Sequence, residues 1–291
     1  MNNTRYDYSA IVTRPPLRWP NDARVAVWVI PNIEHFHIDR PGTALRPESA
    51  QQAPDVYNFA WRDYGLRVGI WRLMAILDKY GVRATVALNA EVCDHYPLIV
   101  QEGVKRGWEF MGHGLTNSQR LAGLSEAEER EVIARTLARI EQAVGRRPRG
   151  WLGPGLAETW RTPDLLAEAG IEYVGDWCAD DQPFPMRVAR GELIAMPYTV
   201  ELNDIPLFLH HHFTGQQFYE AIRDQFDVLY QEGRESGRVM AIALHPFITG
   251  VPHRAKYLDQ ALAYVTGHRH VWLATGSEIL DAYRAQLAHA A

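Results

Sequence analysis

Cysteine is scarce in this chain, with only Cys93 and Cys178 among 291 residues, and neither lies in a CxxC or Cys/His zinc spacing. A disulfide framework is excluded, and a reducing compartment is expected. Lysine and arginine nowhere gather into a run, and the formal charge is -5, so no basic field awaits a phosphate backbone and nucleic acid is not an expected partner. No stretch approaches the roughly 18 unbroken apolar residues of a membrane span. The opening MNNTRYDYSAIVTRPPLRWP lacks the apolar centre of a signal peptide, so a cytoplasmic protein with no membrane partner is expected. Internal repeats, low-complexity tracts and linker-like composition shifts are missing as well. No serine sits in a G-x-S-x-G elbow, and no His or Asn motif accompanies either cysteine, so nucleophilic catalysis has no local support. An activated water is the more economical nucleophile.

What is present is an ordinary packed composition, 47% hydrophobic and 22% charged, at a length that suits one α/β barrel. The apolar run Val25-Ala-Val-Trp-Val-Ile30 predicts a strand buried on both faces. Tyr64 to Tyr80 carries apolar residues at helical spacing up to Gly81, and Ala84 to Leu88 reads as the next strand. Pro97 to Arg106 predicts a helix, and Trp108 to Met111 a short strand that delivers His113. Ser125 with Glu128 forms a capping box, followed by an apolar stripe and Gly145. A helix from Thr162-Pro163 to Ala169 precedes a strand at Ile171 to Val174. Another helix covers about Gln216 to Glu232. Val239 to Leu244 then predicts a strand delivering His245, and a helix near Ala255 to Val265 precedes Val271 to Leu273 and the capping pair Thr275 and Glu278.

Two stretches break this β/α alternation. Residues 31–63 show little periodic apolar pattern, and residues 180–212 are interrupted by prolines 183, 185, 197 and 206. Loops of that length inside a domain are more often functional than idle, and the first is expected to cover a site.

In a parallel barrel, reactive groups gather where strands end. That rule selects Asn32, Glu34 and His35 after the first strand, and His113 and Asn117 after the third. It also selects Asp176, Asp180 and Asp181 after Val174, and His245 after Leu244. Carboxylate, imidazole and amide groups converging there suit a divalent metal or general acid/base hydrolysis. Any one loop His or Glu is ordinarily just solvated; co-location at strand ends is what raises these. His35 and His37 share one side of an extended segment, where the plain alternative is a loop hydrogen bond. The triplet His210-His-His212 is read as mainly structural, because consecutive extended residues point to opposite faces.

The segments VWVIPNIEHF, RDYGLRVGIWRLMAILDKYGVRATVALN, RGWEFMGHGLTNS, GRRPRGWLGPG, DWCADDQPFPMR, MPYTVELNDIP, RDQFDVLY and ALHPFITGVPHR together resemble the polysaccharide deacetylase (NodB homology) superfamily. The likeness is to the branch with metal-independent allantoinase and intracellular peptidoglycan-deacetylase-like proteins, and it covers nearly the whole chain. It implies one distorted (β/α)7-type barrel domain over residues 1–291, hydrolysis of an amide, acetamide or cyclic amide C–N bond, and a homo-oligomer, often a tetramer. The family's aspartate base and aspartate metal ligand fall on Asn32 and Glu34, and its H-x-x-x-H metal pair falls on His113 and Asn117. Trp151 occupies the loop where the deacetylases carry an arginine. His245 matches the family's strand-end histidine, and Asp180 with Asp181 resembles the branch's substrate-side acidic pair.

These departures bear on the mechanism, because an amide oxygen is a weak zinc donor. No resident metal is expected; the alternative is one divalent transition ion, zinc among them, on Glu34 and His113 with His35 or Asn117. Glu34, His113 and His245 are expected to carry the chemistry, and Asn32, His35, Asn117, Trp151, Asp180 and Asp181 to contact a small amide, ureide or acetylated sugar. A metal-dependent deacetylase of N-acetylated sugars and a catalytically degenerate small-molecule binder are the competing readings.

Overall fold

The computed structural model describes residues 3–39 and 52–290. Its strands form one sheet in the order β6-β7-β5-β4-β3-β2-β1-β8. The central strands are β1 (Val25–Ile33), β2 (Thr85–Leu88), β3 (Glu109–Gly112) and β8 (Arg238–Leu244). Beyond them lie β4 (Gly150–Trp151), β5 (Tyr173–Val174), β6 (Phe184–Met186) and β7 (Leu193–Ala195). All pairings are parallel except β6 with β7. β9 (Val271–Leu273) joins the first half of β1, and β2 pairs with its end at Asn32 and Ile33. The sheet curls into an open barrel, and the isolated parallel bridge Asn203 to Ala243 lays the segment after β7 against β8. This is the distorted β/α barrel expected from the sequence.

Every residue of β1 and β8 is buried, which is why both read as continuous apolar runs. Within them the two faces alternate strictly. Val25, Val27, Val29 and Ile33 pack outward against the helices, whereas Ala26, Trp28 and Ile30 fill the barrel. On β8, Met240, Ile242 and Leu244 face out, and Val239, Ala241 and Ala243 face in. Extending the period of two past each strand end points Asn32, Glu34 and His245 into the mouth and His35 away from it.

The helices outside the sheet follow their capping signals. α5 (Glu126–Val144) starts on the reciprocal Ser125 and Glu128 pair and stops at Gly145 in left-handed backbone, φ 78°. α7 (Gly215–Glu232) has a second reciprocal pair, Thr214 with Gln217. The two long breaks are more structured than the sequence suggests. α1 (Val56–Tyr64) begins inside the first, capped by Asp55, whose side chain accepts the Asn58 N–H. It continues through a π-helical turn at Gly65–Gly69 into α2 (Ile70–Lys79). Residues 40–51 of that loop lie outside the described residues. The second break contains β6, β7 and a π-turn at Pro206–His210. Its prolines stop helices, yet edge strands tolerate them, and Pro185 sits on β6. The triplet 210–212 is exposed.

Candidate active site

The C-terminal ends of β1, β3 and β8 bring three predicted residues together. Glu34 Oε1 lies 3.4 Å from His113 Nε2 and 3.6 Å from His245 Nε2. It also accepts a hydrogen bond from Asn117 Nδ2 at 2.6 Å. All three charged or titratable side chains are almost wholly buried, with exposures of 9% for Glu34, 3% for His113 and 6% for His245.

Main-chain groups fix how these side chains are presented. The His35 backbone N–H donates to Asn89 Oδ1, which leaves Asn89 Nδ2 to donate to the His113 carbonyl and to Asn117 Oδ1. Asn117 must therefore turn its NH2 toward Glu34. His113 Nδ1 donates to the Leu152 carbonyl at 2.5 Å, so its Nε2 is the nitrogen that meets Glu34. His245 is held from behind by Asp204, which no motif reading singled out. Asp204 Oδ1 accepts from His245 Nδ1 and Oδ2 from its backbone N–H, both at 2.7 Å, while the Thr249 hydroxyl donates to Oδ2 at 2.6 Å.

The charges are set by this packing. Burial works against a charged imidazole at His245, but Asp204 and Glu34 on either side push its pKa up to about 10. Burial likewise opposes the Glu34 carboxylate, yet His245 and His113 hold it well below the usual carboxylate range. The resting site is an ionised Glu34 against a protonated His245. Arg62 on α1 adds a second cation that the sequence reading missed. Its guanidinium lies 3.6 Å over the Phe36 ring, and burial lowers its pKa to about 10, with Glu34 and Asp55 resisting. Asn32, Glu34, Phe36, Arg62 and Phe247 line a cavity of about 10 Å³, enough for a single water.

This donor set does not suit a divalent metal. Asn117 offers an N–H rather than an oxygen, and the His245 cation faces the same Glu34 oxygen a metal would need. The requirement is for neutral or anionic donors converging on one point, and two of the four groups present hydrogens.

Other predicted residues lie elsewhere. Asn32 is beside the site, its Nδ2 donating to the Ile30 carbonyl at 3.2 Å and reaching the Tyr198 hydroxyl at 3.4 Å. His35 turns outward, to Glu91. Trp151 is a correction: it is fully buried on the helix side of β4, packed over Gly112 in a cluster with Leu137 and Leu165. The inward-facing neighbour is Leu152, the residue just after that strand. Asp180 and Asp181 are a second correction. Asp180 forms an ion pair with Arg14 at 2.6 Å, and the Asp181 carbonyl accepts from Val239 N–H, at the opposite end of β8 from His245. Six strand residues separate the two ends, roughly 20 Å, so this acidic pair does not join Glu34. Both aspartates line a separate cavity of about 1320 Å³ with Arg14 and Tyr283. It is the larger of the two and contains none of Glu34, His113 or His245, whereas the smaller one is lined by Glu34.

Comparison with known proteins bears on the fold and the family. Residues 62–174 match the polysaccharide deacetylase family. A putative polysaccharide deacetylase of Schizosaccharomyces pombe is 27% identical over 300 residues, covering 92% of this chain and 92% of its own. The crystal structure of a probable polysaccharide deacetylase from Pseudomonas aeruginosa PAO1 superposes with a TM-score of 0.84 at 27% identity, covering 94% of this chain and 95% of that one. Puue allantoinase superposes with a TM-score of 0.83 at 25% identity, covering 96% and 98%. The chain thus resembles the polysaccharide deacetylase superfamily, allantoinase included, across nearly its whole length, with the family's own match falling on residues 62–174.

Proposed function

We propose that this protein is a hydrolase of a small linear or cyclic amide, cleaving a non-peptide C–N bond by attack of water on the carbonyl in the barrel mouth. The observation that carries the reading is the ion pair of Glu34 with His245, backed by Asp204 and steadied by His113 and Asn117. Glu34 accepts a proton from the attacking water, and the water oxygen bonds to the carbonyl carbon. His245, held protonated between Asp204 and Glu34, has a proton to release. It donates to the departing nitrogen as the C–N bond breaks, and Asp204 stabilises the cation beforehand. Asn117 N–H and Arg62 supply positive potential near the developing oxyanion.

The Puue allantoinase likeness and the donor set favour ureides, hydantoins and imides over N-acetylated sugars. The deacetylase names of other relatives support the second substrate class, which needs the same bond broken. We further place the protein in the cytoplasm as a homo-oligomer. Support for the compartment is the pair of unlinked cysteines, and among the described residues no helix is long and apolar enough to cross a membrane.

A panel of cyclic ureides, imides and N-acetylated sugars tests the reading, with turnover followed by release of carboxylate and amine. Turnover that disappears in Glu34→Gln supports it. Thermal stabilisation by a panel member without any turnover assigns a binding protein instead.

A further inference from the structure

Beside Glu34, on the outer side of the barrel mouth, the fold assembles a second group of ligand-type side chains. His35 and His37 share the outward face of the extended segment after β1. Glu91 and His95 lie four residues apart, with His95 ending α3 (Val92–His95), so they share one face of that turn. Glu91 Oε2 accepts from His35 Nδ1 at 2.9 Å and from His37 Nε2 at 2.7 Å. The His95 ring lies over His35, centroids 4.4 Å apart. One donor atom from each of His35, Glu91 and His95 falls within 4.8 Å of the other two.

We propose that His35, Glu91 and His95 form a site for a divalent transition metal, separate from the Glu34 centre, with His37 bonded to the same carboxylate. Two imidazoles and a carboxylate match the donor preference of zinc, nickel or cobalt. A tetrahedral ion with bonds of about 2.0–2.1 Å places its ligand atoms roughly 3.3 Å apart. The set must therefore contract by at most about 1.5 Å. Glu91 is half-buried and His95 exposed, so both have room to swing, and His95 leaves its stacked position to do so. His35 is the fixed member: its carbonyl accepts from Thr116 Oγ1 at 2.7 Å and Asn117 N–H at 2.9 Å. An ion there ties the segment carrying Glu34 to α3, on the far side of the backbone from the reacting groups. Its role is to hold Glu34 in place; the Glu34 chemistry does not pass through it. The inference stands independently of the substrate.

The test uses full-length protein without a polyhistidine tag, stripped with chelator. Zinc is titrated calorimetrically, and cobalt(II) by visible absorption, which reports coordination directly. The expected result is one equivalent per chain, with affinity reduced at least roughly tenfold in His95→Ala and in Glu91→Gln. Glu34→Gln and the surface double variant His210→Ala/His211→Ala should bind as the parent does. Zinc should raise the melting temperature of the parent and leave that of His95→Ala unmoved. His95 is exposed, so its variant retains the fold even if Glu91→Gln does not. No binding by the parent overturns the proposal, as does loss of binding in Glu34→Gln with retention in His95→Ala.

Discussion

Asp204 grips His245 twice, one carboxylate oxygen on the backbone N–H and the other on Nδ1, each at 2.7 Å. The residue is fully buried and 41 positions away in sequence, and it fixes both the tautomer and the charge of the imidazole. Asp204→Asn removes the charge and offers an amide where two N–H donors already point in. We expect kcat to fall by about 10²–10⁴ and the alkaline limb of the pH profile to move toward neutrality, because a His245 cation without Asp204 loses its proton earlier. Measuring kcat/KM against pH in both proteins checks this. A limb that stays in place would remove Asp204 from the mechanism.

Glu34→Gln keeps the shape of the side chain and deletes the base. The expected loss is also about 10²–10⁴ in kcat, with an unchanged circular dichroism spectrum. Near-normal turnover in a correctly folded variant rules the role out.

The site was legible in sequence wherever strand parity governs it. Counting by twos from Trp28 puts Glu34 inside and from Ala241 puts His245 inside, whereas His35, kept at the site in the sequence reading, falls on the opposite face and turns to Glu91. Asp204 was not legible, because its partnership with His245 depends on the Asn203 to Ala243 bridge, a contact between distant segments with no local pattern. Arg62 stood at the edge of a stretch read as loop, since α1 starts on a cap at Asp55 and not on an apolar repeat. Trp151 was placed by resemblance, and the Asp180 pair by resemblance together with its position after the strand at Val174. That assigns a loop to the site without saying which face of the strand a side chain takes, or which end of the barrel it occupies.

Stability should depend on pH through the same pair. His245 titrates near 6.5 when unfolded and is raised to about 10 in the fold. Its contribution is therefore fully present below pH 6.5 and is lost as pH rises through about 10. Glu34 is depressed, so its contribution is present above the ordinary carboxylate range and lost as pH falls through its folded value. Urea midpoints measured from pH 6 to about 10.5 should start to decline above about pH 6.5, fall steadily toward about pH 10 and level off beyond it. In His245→Gln that alkaline decline should flatten; an unchanged slope assigns it to other groups.

The loop that carries His245 is also fixed by the absence of side chains. A Cβ on Gly69 would overlap the Pro246 carbonyl, and one on Gly250 would overlap both that carbonyl and the Gly69 backbone. At Gly65 the added carbon would lie 2.5 Å from the Phe247 amide nitrogen. The π-turn at Gly65–Gly69 thus packs backbone against backbone on the segment that follows β8, in a contact that a side chain must pry apart. Gly69→Ala replaces a residue with ordinary helical φ, so the backbone itself is not strained, and any cost comes from the clash. We expect a loss of about 1–3 kcal/mol, read as a lower urea midpoint with an unchanged slope. Because Pro246 follows His245 directly, kcat should fall as well, while the His245 to Asp204 pairing keeps the pH profile of the parent. A stability loss with full activity would mean that the loop yields without moving His245.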